Sequence, residues 1–408
     1  MKKVLAQAME LVKPSIEDKK KAQKCVDDFV KFNVKDAKVV VGGSAAKNTW
    51  LKDAHDADFF VMFDYNKYKD KSDKISDLLE KPLRKVYPKA VRLHGSRDYF
   101  QVDIKGFTYE IIPILNITKA DKARNITDIS PLHAKWVSKH KKVVDEIRLT
   151  KAFCKANNLY GAESYIKGFS GYVCEILTIN YGSFLKLIKA AAKWKDKDVI
   201  DFERYHKGKN VLMELNTSKL LSPLIVIDPV QAGRNAAAAL SEDNFELFIK
   251  KSKQFLKRPS IKFFKKHEID LKKKAGKNEL ITLNIENVKG KEDVVGCKLL
   301  KIISLIKNEL ARHEFNLIDE GLLYNEDKST IYFIIKKEVK PLTIVHKGPP
   351  VSSKEFVKHF KKKHKHTFIK TGIIYAKDKR AFKTAKDLIK KMIKDPYVKE
   401  RTKSVKLK

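Results

Sequence analysis

The sequence predicts a multidomain protein of the α+β class. At 408 residues the chain is longer than one ordinary hydrophobic core can organise, so about two to four domains are expected. A hydrophobic share of 43% is enough to build those cores. Alternating segments near the N-terminus and after residue 280 indicate strands, whereas residues 136–257 carry mainly helical periodicity.

The first 135 residues predict a small α+β domain. The expected elements are a helix at 17–33, strands at 38–41 and 57–63, a helix at 75–85, and strands at 99–104 and 107–112. Pro82 is expected to kink or end its helix. Lys105-Gly106 predicts the tight turn of a hairpin between the last two strands.

Three further parts are expected: a helical segment at 136–257, a smaller α+β part at 258–351 and a basic tail at 352–408. Arg258-Pro259 and the lysines that follow mark one boundary. The expected elements are helices at 145–157, 172–192, 236–257 and 299–310, and strands at 280–285, 322–324, 330–335 and 372–376.

The charge balance indicates a polyanionic partner. Lysine and arginine number 87 against 50 acidic residues, a net charge of +37. This excess points first to nucleic acid. An anionic membrane is the rival, but the sequence contains neither a basic amphipathic helix with a tryptophan-rich face nor a lipidation signal. Genome-wide composition bias or adaptation to heat would also enrich lysine.

The cysteines and the N-terminus predict a soluble, cytoplasmic protein. The cysteines are scattered, without a CxxC pair, which argues against a disulfide framework or a zinc site. The apolar segment after Met1 is too short for a signal peptide, and no run approaches the roughly 18–20 apolar residues of a membrane span.

A glycine-serine loop precedes two closely spaced acids. Gly42-Gly43-Ser44 is expected to cradle phosphate through its backbone, and Asp56-Ala57-Asp58 opens the next strand. Because residues two apart in a strand point to the same face, the two carboxylates should lie together. Such a pair beside a phosphate loop suits Mg²⁺ held against a nucleoside triphosphate, with paired ions assisting an in-line displacement.

Nucleotidyl transfer of this kind generally needs a third acid, and two residues qualify. Glu110 interrupts an apolar strand before Pro113, and Asp103 interrupts the partner strand. An acid within an apolar run is costly unless it pairs or binds a metal. We favour Glu110, while an outward-facing, purely structural acid remains the alternative at either position.

An ordered series of motifs runs along most of the chain. The motifs are Gly43-Ser44, Thr49-Trp50-Leu51, Asp56-Ala57-Asp58, Glu110-Ile111-Ile112-Pro113, Ser130-Pro131-Leu132-His133, Tyr160-Gly161-Ala162-Glu163, residues 167–172, Asp228-Pro229-Val230, residues 234–240 and residues 346–351. This series resembles that of the archaeal (class I) CCA-adding enzymes, the tRNA nucleotidyltransferases of the polymerase β-like superfamily. The acid motif alone is shared by many nucleotidyltransferases, so the order of the whole series is the more specific feature.

The resemblance implies a polymerase β-like palm, or head, at 1–135, followed by a helical neck, an α+β body and a tRNA-binding tail. It implies template-independent addition of C, C and A to the 3′ end of tRNA from CTP and ATP, with Mg²⁺ and release of pyrophosphate. The tRNA would be held through its acceptor stem and T arm. Family members often form homodimers, and the sequence leaves the oligomeric state open.

The resemblance also implies residue roles. Asp56 and Asp58 would hold the metal, with Glu110 as the third acid. The nucleotide would be bound by Gly43, Ser44, Lys47, His133, Lys151, Tyr160 and Arg234, with Arg234 reading the base. Each residue also has a purely structural alternative. Gly43 would form a simple turn, and Lys47 and Lys151 would be solvated lysines. His133 would be a buried histidine and Tyr160 a packing aromatic, while Asp228 and Arg234 would cap a helix or form an ion pair.

Two departures from the family pattern affect the expected geometry. Ala45, Lys47 and Asn48 replace an aromatic, an arginine and a glycine in the loop. Lysine neutralises phosphate as a point charge, without arginine's bidentate fork. The third acid is usually aspartate, so the longer Glu110 requires a small shift of its strand or of the metal.

The tail is expected to follow RNA phosphates. Phe360 and Phe368 bracket the basic run from Lys361 to His366, and a solvated amphipathic helix is the alternative. His359, His364 and His366 lack a cysteine or carboxylate nearby in sequence, which argues against a metal site. Two other functions remain open: a poly(A) polymerase or oligoadenylate synthetase-like enzyme, and a catalytically idle RNA-binding protein.

Overall fold

The computed structural model describes residues 1–30, 33–52, 56–104, 106–266 and 269–408. It divides the chain into two compact units, Met1–Glu268 and Ile269–Lys408. Mixed helices and sheets in both units confirm the predicted α+β class. The finer division into four parts stays a prediction. Within the described ranges, no helix is both long and apolar enough to cross a bilayer.

Among the described residues, the first unit contains two sheets and most of the helices. Its strands are β1 (Ala37–Val41), β2 (Asp56–Phe63), β3 (Val91–Leu93), β4 (Tyr99–Ile104), β5 (Phe107–Leu115), β6 (Asp198–Ile200), β7 (Leu224–Asp228) and β8 (Gln231–Asn235). Its helices are α1 (Lys2–Val12), α2 (Ile16–Val30), α3 (Gly43–Ala46), α4 (Tyr65–Tyr68), α5 (Ile75–Val86), α6 (Ser130–Ser138), α7 (Val144–Ala156), α8 (Gly171–Tyr181), α9 (Phe184–Ala191), α10 (Val211–Glu214) and α11 (Glu242–Lys257).

The first sheet has the strand order β1-β2-β5-β4-β3, and its β2–β5 pair is parallel. Along β2, Phe59, Val61 and Phe63 are buried in the core of this domain. Because side chains alternate along a strand, Asp56 and Asp58 lie on the other face. The predicted hairpin strands are confirmed as β4 and β5, while Lys105 of the predicted turn lies outside the described residues. Helix α5 continues through Pro82 to Val86, so the predicted break is absent.

The second part of this unit differs from the predicted run of three helices. Helix α7 is confirmed, but the single helix predicted at 172–192 is two helices. Gly182 adopts a left-handed conformation (φ +76°) that ends α8, and the Ser183 side chain caps α9. The helix predicted from residue 236 begins only at Glu242, because Ser241 caps it there.

The strands β6, β7 and β8 form a sheet that the helical interpretation missed. All five residues of β7 are buried, which explains the unbroken apolar run of its first four residues before Asp228. Asp228 and Arg234 were expected to flank a helix start. That expectation was wrong, because they lie on β7 and β8, two antiparallel strands joined at Pro229-Val230.

The second unit also contains two sheets. Its strands are β9 (Glu279–Glu286), β10 (Leu317–Leu323), β11 (Lys328–Ile335), β12 (Thr343–Pro350), β13 (Thr367–Lys370), β14 (Ile373–Lys379) and β15 (Ser404–Leu407). Its helices are α12 (Leu271–Ala275), α13 (Glu292–Arg312), α14 (Lys354–Lys363), α15 (Ala385–Met392) and α16 (Pro396–Lys399). The sheet orders are β10-β11-β9-β15 and β12-β14-β13. Both sheets therefore join strands from either side of residue 351, the predicted boundary between body and tail.

Candidate functional site

The acids of the predicted site lie on two adjacent strands. Asp56 and Asp58 share one face of β2, and the parallel register places Glu110 of β5 directly beside Asp58. Paired residues of neighbouring strands point to the same side of a sheet, so the three carboxylates lie on one face. Asp103 lies one strand further away on β4, where its carboxylate accepts a hydrogen bond from the Thr108 hydroxyl (2.7 Å). This arrangement favours Glu110 over Asp103.

Burial and the neighbouring charge of Asp56 both disfavour the ionised form of Asp58. Burial, together with the negative charge of Asp56, raises the pKa of Asp58 to about 6, while Lys47 opposes this shift. A carboxylate with a raised pKa is one whose charge is poorly compensated by its surroundings. A divalent cation beside Asp56 and Asp58 would supply that compensation.

The glycine loop contacts the acid pair directly. Gly43 begins α3 with a positive φ of +54°, and a Cβ atom at this position would lie 1.5 Å from Oδ2 of Asp58. Residue 43 must therefore be glycine both for its backbone conformation and for lack of space. The Gly42 N–H donates to the Asp58 carbonyl (2.7 Å), which fixes the loop against β2. Ser44, half-buried on α3, follows directly.

Two lysines of the predicted nucleotide site converge on one buried acid. Lys47 donates to Oε2 of Glu175, and Lys151 donates to Oε1, each at 2.7 Å. The Thr49 hydroxyl donates to the same Oε1 (2.7 Å) and lies 2.8 Å from the Lys151 ammonium. The side chain of Glu175 is 0% exposed and that of Lys151 only 4%. Lys151 is therefore a buried residue, not the solvated lysine of the alternative interpretation.

The buried cluster keeps a positive charge. Burial by itself would raise the pKa of Glu175, but the ammonium groups of Lys151 and Lys47 outweigh it and lower that pKa to about 2. Burial lowers the pKa of Lys151, against the attraction of Glu175. Two lysines facing one ionised carboxylate leave a net charge of +1 beside the loop, which suits an anionic ligand.

A second cluster surrounds Asp228 at the end of β7. Its carboxylate accepts from Tyr172 (3.1 Å) and Arg234 (2.5 Å), and lies 3.0 Å from Nε2 of His133. The rings of His133 and Tyr172 stack, with centroids 4.0 Å apart. Burial would raise the pKa of Asp228, but the contact with His133 and the charge of Arg234 hold it below its usual value. Arg234 and His133 are thus positioned by one buried carboxylate.

Tyr160 lies close to the lysine cluster. A Cβ atom at Gly171 would lie 2.7 Å from the Tyr160 hydroxyl and 3.7 Å from Cε of Lys151. Burial and nearby carboxylates, including Glu175 and Asp56, raise the pKa of Tyr160. Its phenol therefore stays protonated and able to donate a hydrogen bond.

Lys47 lies between the acid pair, the buried Glu175 and the cluster around Asp228. Its charge opposes the rise in the pKa of Asp58, its ammonium donates to Glu175, and it lies 5.9 Å from the centroid of the Tyr172 ring. The structure thus brings the sequence-predicted residues into one region of the first unit. No role for Glu175 or Tyr172 was predicted from the sequence. The signal for Glu175 was a single acid within the apolar run of α8.

Models of three protein families match successive parts of the chain. A nucleotidyltransferase domain matches residues 24–133, a tRNA nucleotidyltransferase second domain matches 145–265, and the C-terminal domain of the CCA-adding enzyme matches 278–400. Together they cover most of the sequence in the order that the motifs predict.

Curated relatives match over most of their length. A CCA-adding enzyme of Nanoarchaeum equitans is 37% identical over 83% of this chain and 83% of its own length. One from Methanocaldococcus jannaschii is 32% identical, covering 96% and 91%. One from Methanosarcina mazei is 28% identical, covering 94% and 88%.

Solved structures share the fold at low sequence identity. Two structures of the poly(U) polymerase Cid1 each superpose with a TM-score of 0.51 and 14% identity. They cover 65% and 66% of this chain and 98% of their own chains. At this identity the likeness concerns the fold alone.

Proposed function

Because the chain belongs to the family of archaeal CCA-adding enzymes, we propose that it adds C, C and A to the 3′ end of tRNA from CTP and ATP without a nucleic-acid template. The observation that carries the proposal is the set of acids on β2 and β5, with Glu110 beside Asp58 and Gly43 against the Asp58 carboxylate. An idle RNA-binding protein has no need of this arrangement.

The acids suit Mg²⁺. Asp56, Asp58 and Glu110 offer carboxylate oxygens, the ligands that Mg²⁺ prefers alongside substrate phosphates. The raised pKa of Asp58 reflects negative charge in need of a cation. When bound, Mg²⁺ stabilises the charge that develops on the α-phosphate and on the pyrophosphate leaving group.

The chain's own residues then position the substrates. Glu110, beside Asp58, would hold the attacking 3′-hydroxyl and accept its proton as the oxygen bonds to the α-phosphorus. Gly43 and Ser44 would approach the β- and γ-phosphates from the loop. Lys47 and Lys151 would supply positive charge, with Glu175 fixing both ammonium groups. Catalysis would rest mainly on positioning and electrostatic stabilisation.

The Asp228 cluster is proposed as the nucleotide-recognition element. One guanidinium nitrogen of Arg234 donates a hydrogen bond to Asp228. The other N–H groups of Arg234 would donate to the base of CTP or ATP. His133 and Tyr160 would close around the triphosphate and ribose. Asp228 would act as a positioning residue, because it holds Arg234, His133 and Tyr172 together.

The proposed polyanionic partner is tRNA, bound through its acceptor stem and T arm in the cytoplasm. The excess of 37 positive charges supports a phosphate-based interaction. A-form RNA offers its backbone and shape more readily than its base edges, so binding would depend on structure rather than on sequence. A homodimer is included in the proposal and is tested by sedimentation with and without tRNA.

The direct test uses tRNA that lacks its terminal CCA, together with Mg²⁺ and labelled nucleotides. CTP alone should extend it by two nucleotides, and CTP with ATP by three. A long adenylate ladder would instead favour a poly(A) polymerase-like enzyme. No incorporation by folded, tRNA-binding protein would favour the idle RNA-binding protein.

A further inference from the structure

Two histidines and an aspartate meet in the second unit, in the sheet β12-β14-β13 and at the end of α14. His346 lies on β12, Asp378 on β14, and His364 is the C-terminal cap of α14. One nitrogen or oxygen from each residue lies within 4.8 Å of the other two. The sequence around His364 offers no nearby carboxylate and so predicted no metal site, but the fold brings Asp378 to His364. We propose that these three side chains form a binding site for Zn²⁺ or a similar transition-metal ion.

The sheet register places two of the ligands together. His346 pairs with Ala376 and Ile344 pairs with Asp378, so His346 and Asp378 are diagonal neighbours on one face. Lys347, Lys377 and Lys379 alternate to the opposite face. The lysine side chains of these strands therefore lie on the face opposite the three ligands.

The distance between His346 and Asp378 fits a small coordination sphere. Nε2 of His346 lies 3.6 Å from Oδ2 of Asp378. Two ligands about 2.1 Å from a tetrahedral Zn²⁺ are about 3.4 Å apart. Nδ1 of His364 contacts the same Oδ2 through a short hydrogen bond. Metal binding would replace that hydrogen bond, with His364 in the neutral tautomer that carries its proton on Nε2.

The donor set selects the class of metal. Two imidazoles and one carboxylate suit Zn²⁺, whereas Mg²⁺ and Ca²⁺ prefer oxygen ligands. The basic last turn of α14 opposes any cation, so ligand bonds rather than net charge must provide the affinity. The carbonyl end of this ten-residue helix offsets part of that repulsion.

The exposure of the site leaves room for a further ligand. The His364 side chain is 11% exposed, Asp378 29% and His346 42%. Three protein ligands with one solvent-accessible side suit a fourth ligand such as water. His346, the most exposed of the three, is also the residue whose replacement least disturbs the fold.

The test titrates Zn²⁺ into the metal-free full-length chain by calorimetry, in excess Mg²⁺ so that the carboxylates on β2 and β5 are occupied. The wild type should bind one Zn²⁺ at this site. H346Q and D378N should each weaken binding at least about 10-fold, since even residues that only support metal ligands cost about that much. H359Q and H366Q, exposed histidines of the same segment, are the matched controls and should bind like the wild type.

Co²⁺ provides a second readout, because a nitrogen- and oxygen-ligated tetrahedral site gives visible absorption that H346Q should abolish. Absence of Zn²⁺ binding by the wild type would overturn the proposal. So would equal affinity in H346Q, the wild type and the H359Q control, because the ion would then lie elsewhere. Failure of CCA addition in Mg²⁺ alone would concern the proposed function and leave this site unaffected.

Discussion

Asp58 and Glu110 lie side by side across the parallel pair of β2 and β5. The pair joins a strand that follows the glycine loop to a strand that begins some fifty residues later in the chain. Since Gly43 touches the Asp58 carboxylate, phosphate binding and metal binding are expected to meet at this point.

Replacing Gly43 by alanine should abolish activity through a clash with Asp58. The new Cβ would lie 1.5 Å from Oδ2, so the carboxylate must move. A displacement of about 1 Å can cost about 100-fold in rate, and we expect at least that loss in kcat. Gly106→Ala is the matched control: its φ is also positive (+82°), but apart from its chain neighbours a Cβ there would meet no described atom within 4 Å. Equal losses in both variants would contradict the clash.

Asp58 should lower stability at neutral pH when no divalent ion is present. Its pKa rises from 3.8 to about 6 on folding, so its contribution to stability is full below about pH 4 and is lost as pH rises through 6. Asp58→Asn should therefore raise the free energy of unfolding at pH 7 by up to about 3 kcal/mol. Urea denaturation of the wild type and Asp58→Asn at pH 4 and pH 7 measures this difference in the free energy of unfolding, which should be larger at pH 7.

Magnesium ions should reverse that difference, because they stabilise only a folded state that binds them. Saturating Mg²⁺ should raise the wild-type free energy of unfolding more than that of Asp58→Asn. Asp103→Asn, at an exposed carboxylate, should follow the wild type. A stability difference that is the same at both pH values would refute the raised pKa of Asp58.

Glu175→Gln should destabilise the chain and weaken nucleotide binding. Removing one member of a buried ion pair leaves Lys151 uncompensated, which costs about 3 kcal/mol. The folded pKa of Glu175 is depressed from 4.5 to about 2, so this advantage is full above about pH 4.5 and shrinks as pH falls toward 2. The KM for CTP and ATP should rise.

Thr49→Val provides the comparison for Glu175→Gln. It keeps all three charges and removes one buried hydroxyl, with an expected cost of about 1 kcal/mol. Chemical denaturation measures the loss of stability in each variant, and initial-rate kinetics measure the change in KM for CTP and ATP. If Glu175→Gln cost no more than Thr49→Val, the cluster would not depend on charge.

Arg234→Lys should impair recognition of the incoming nucleotide while it keeps the positive charge. Lysine lacks the planar fork that lets arginine bind Asp228 and a base together. A charged hydrogen bond contributes about 1.5–3 kcal/mol, so kcat/KM for CTP and ATP should fall about 10- to 100-fold. Arg258→Lys, at an exposed arginine of the same unit, should have no effect. Unchanged kinetics, or unchanged rejection of UTP and GTP, would exclude Arg234 from base recognition.

Local patterns predicted four strands of the first sheet and missed the short strand β3. Alternation marked β4 and β5, an apolar run marked β2, and the spacing of Asp56 and Asp58 placed both acids on one face. The break between α8 and α9 was missed, although Gly182 and Ser183 are a typical helix end and helix start. The buried strand β7 was missed because a continuous apolar run has no period that separates helix from strand.

The partners of buried charges could not be predicted from the sequence. The side chain of Glu175 contacts that of Lys47, which lies 128 residues away in the sequence. Asp228 contacts His133, which lies 95 residues away. Asp378 and His364 meet in the same way, through strand pairing and the end of a helix. Such contacts depend on how the elements pack, and no local pattern encodes them.

The proposed CCA addition through Glu110 is tested by resolving each nucleotide added to tRNA that lacks CCA, with the wild type, Glu110→Gln and Asp103→Asn. The wild type and Asp103→Asn should add C, C and A in that order. Glu110→Gln should lose at least about 100-fold in rate while it still binds tRNA. An adenylate ladder from the wild type, or a loss confined to Asp103→Asn, would contradict this proposal.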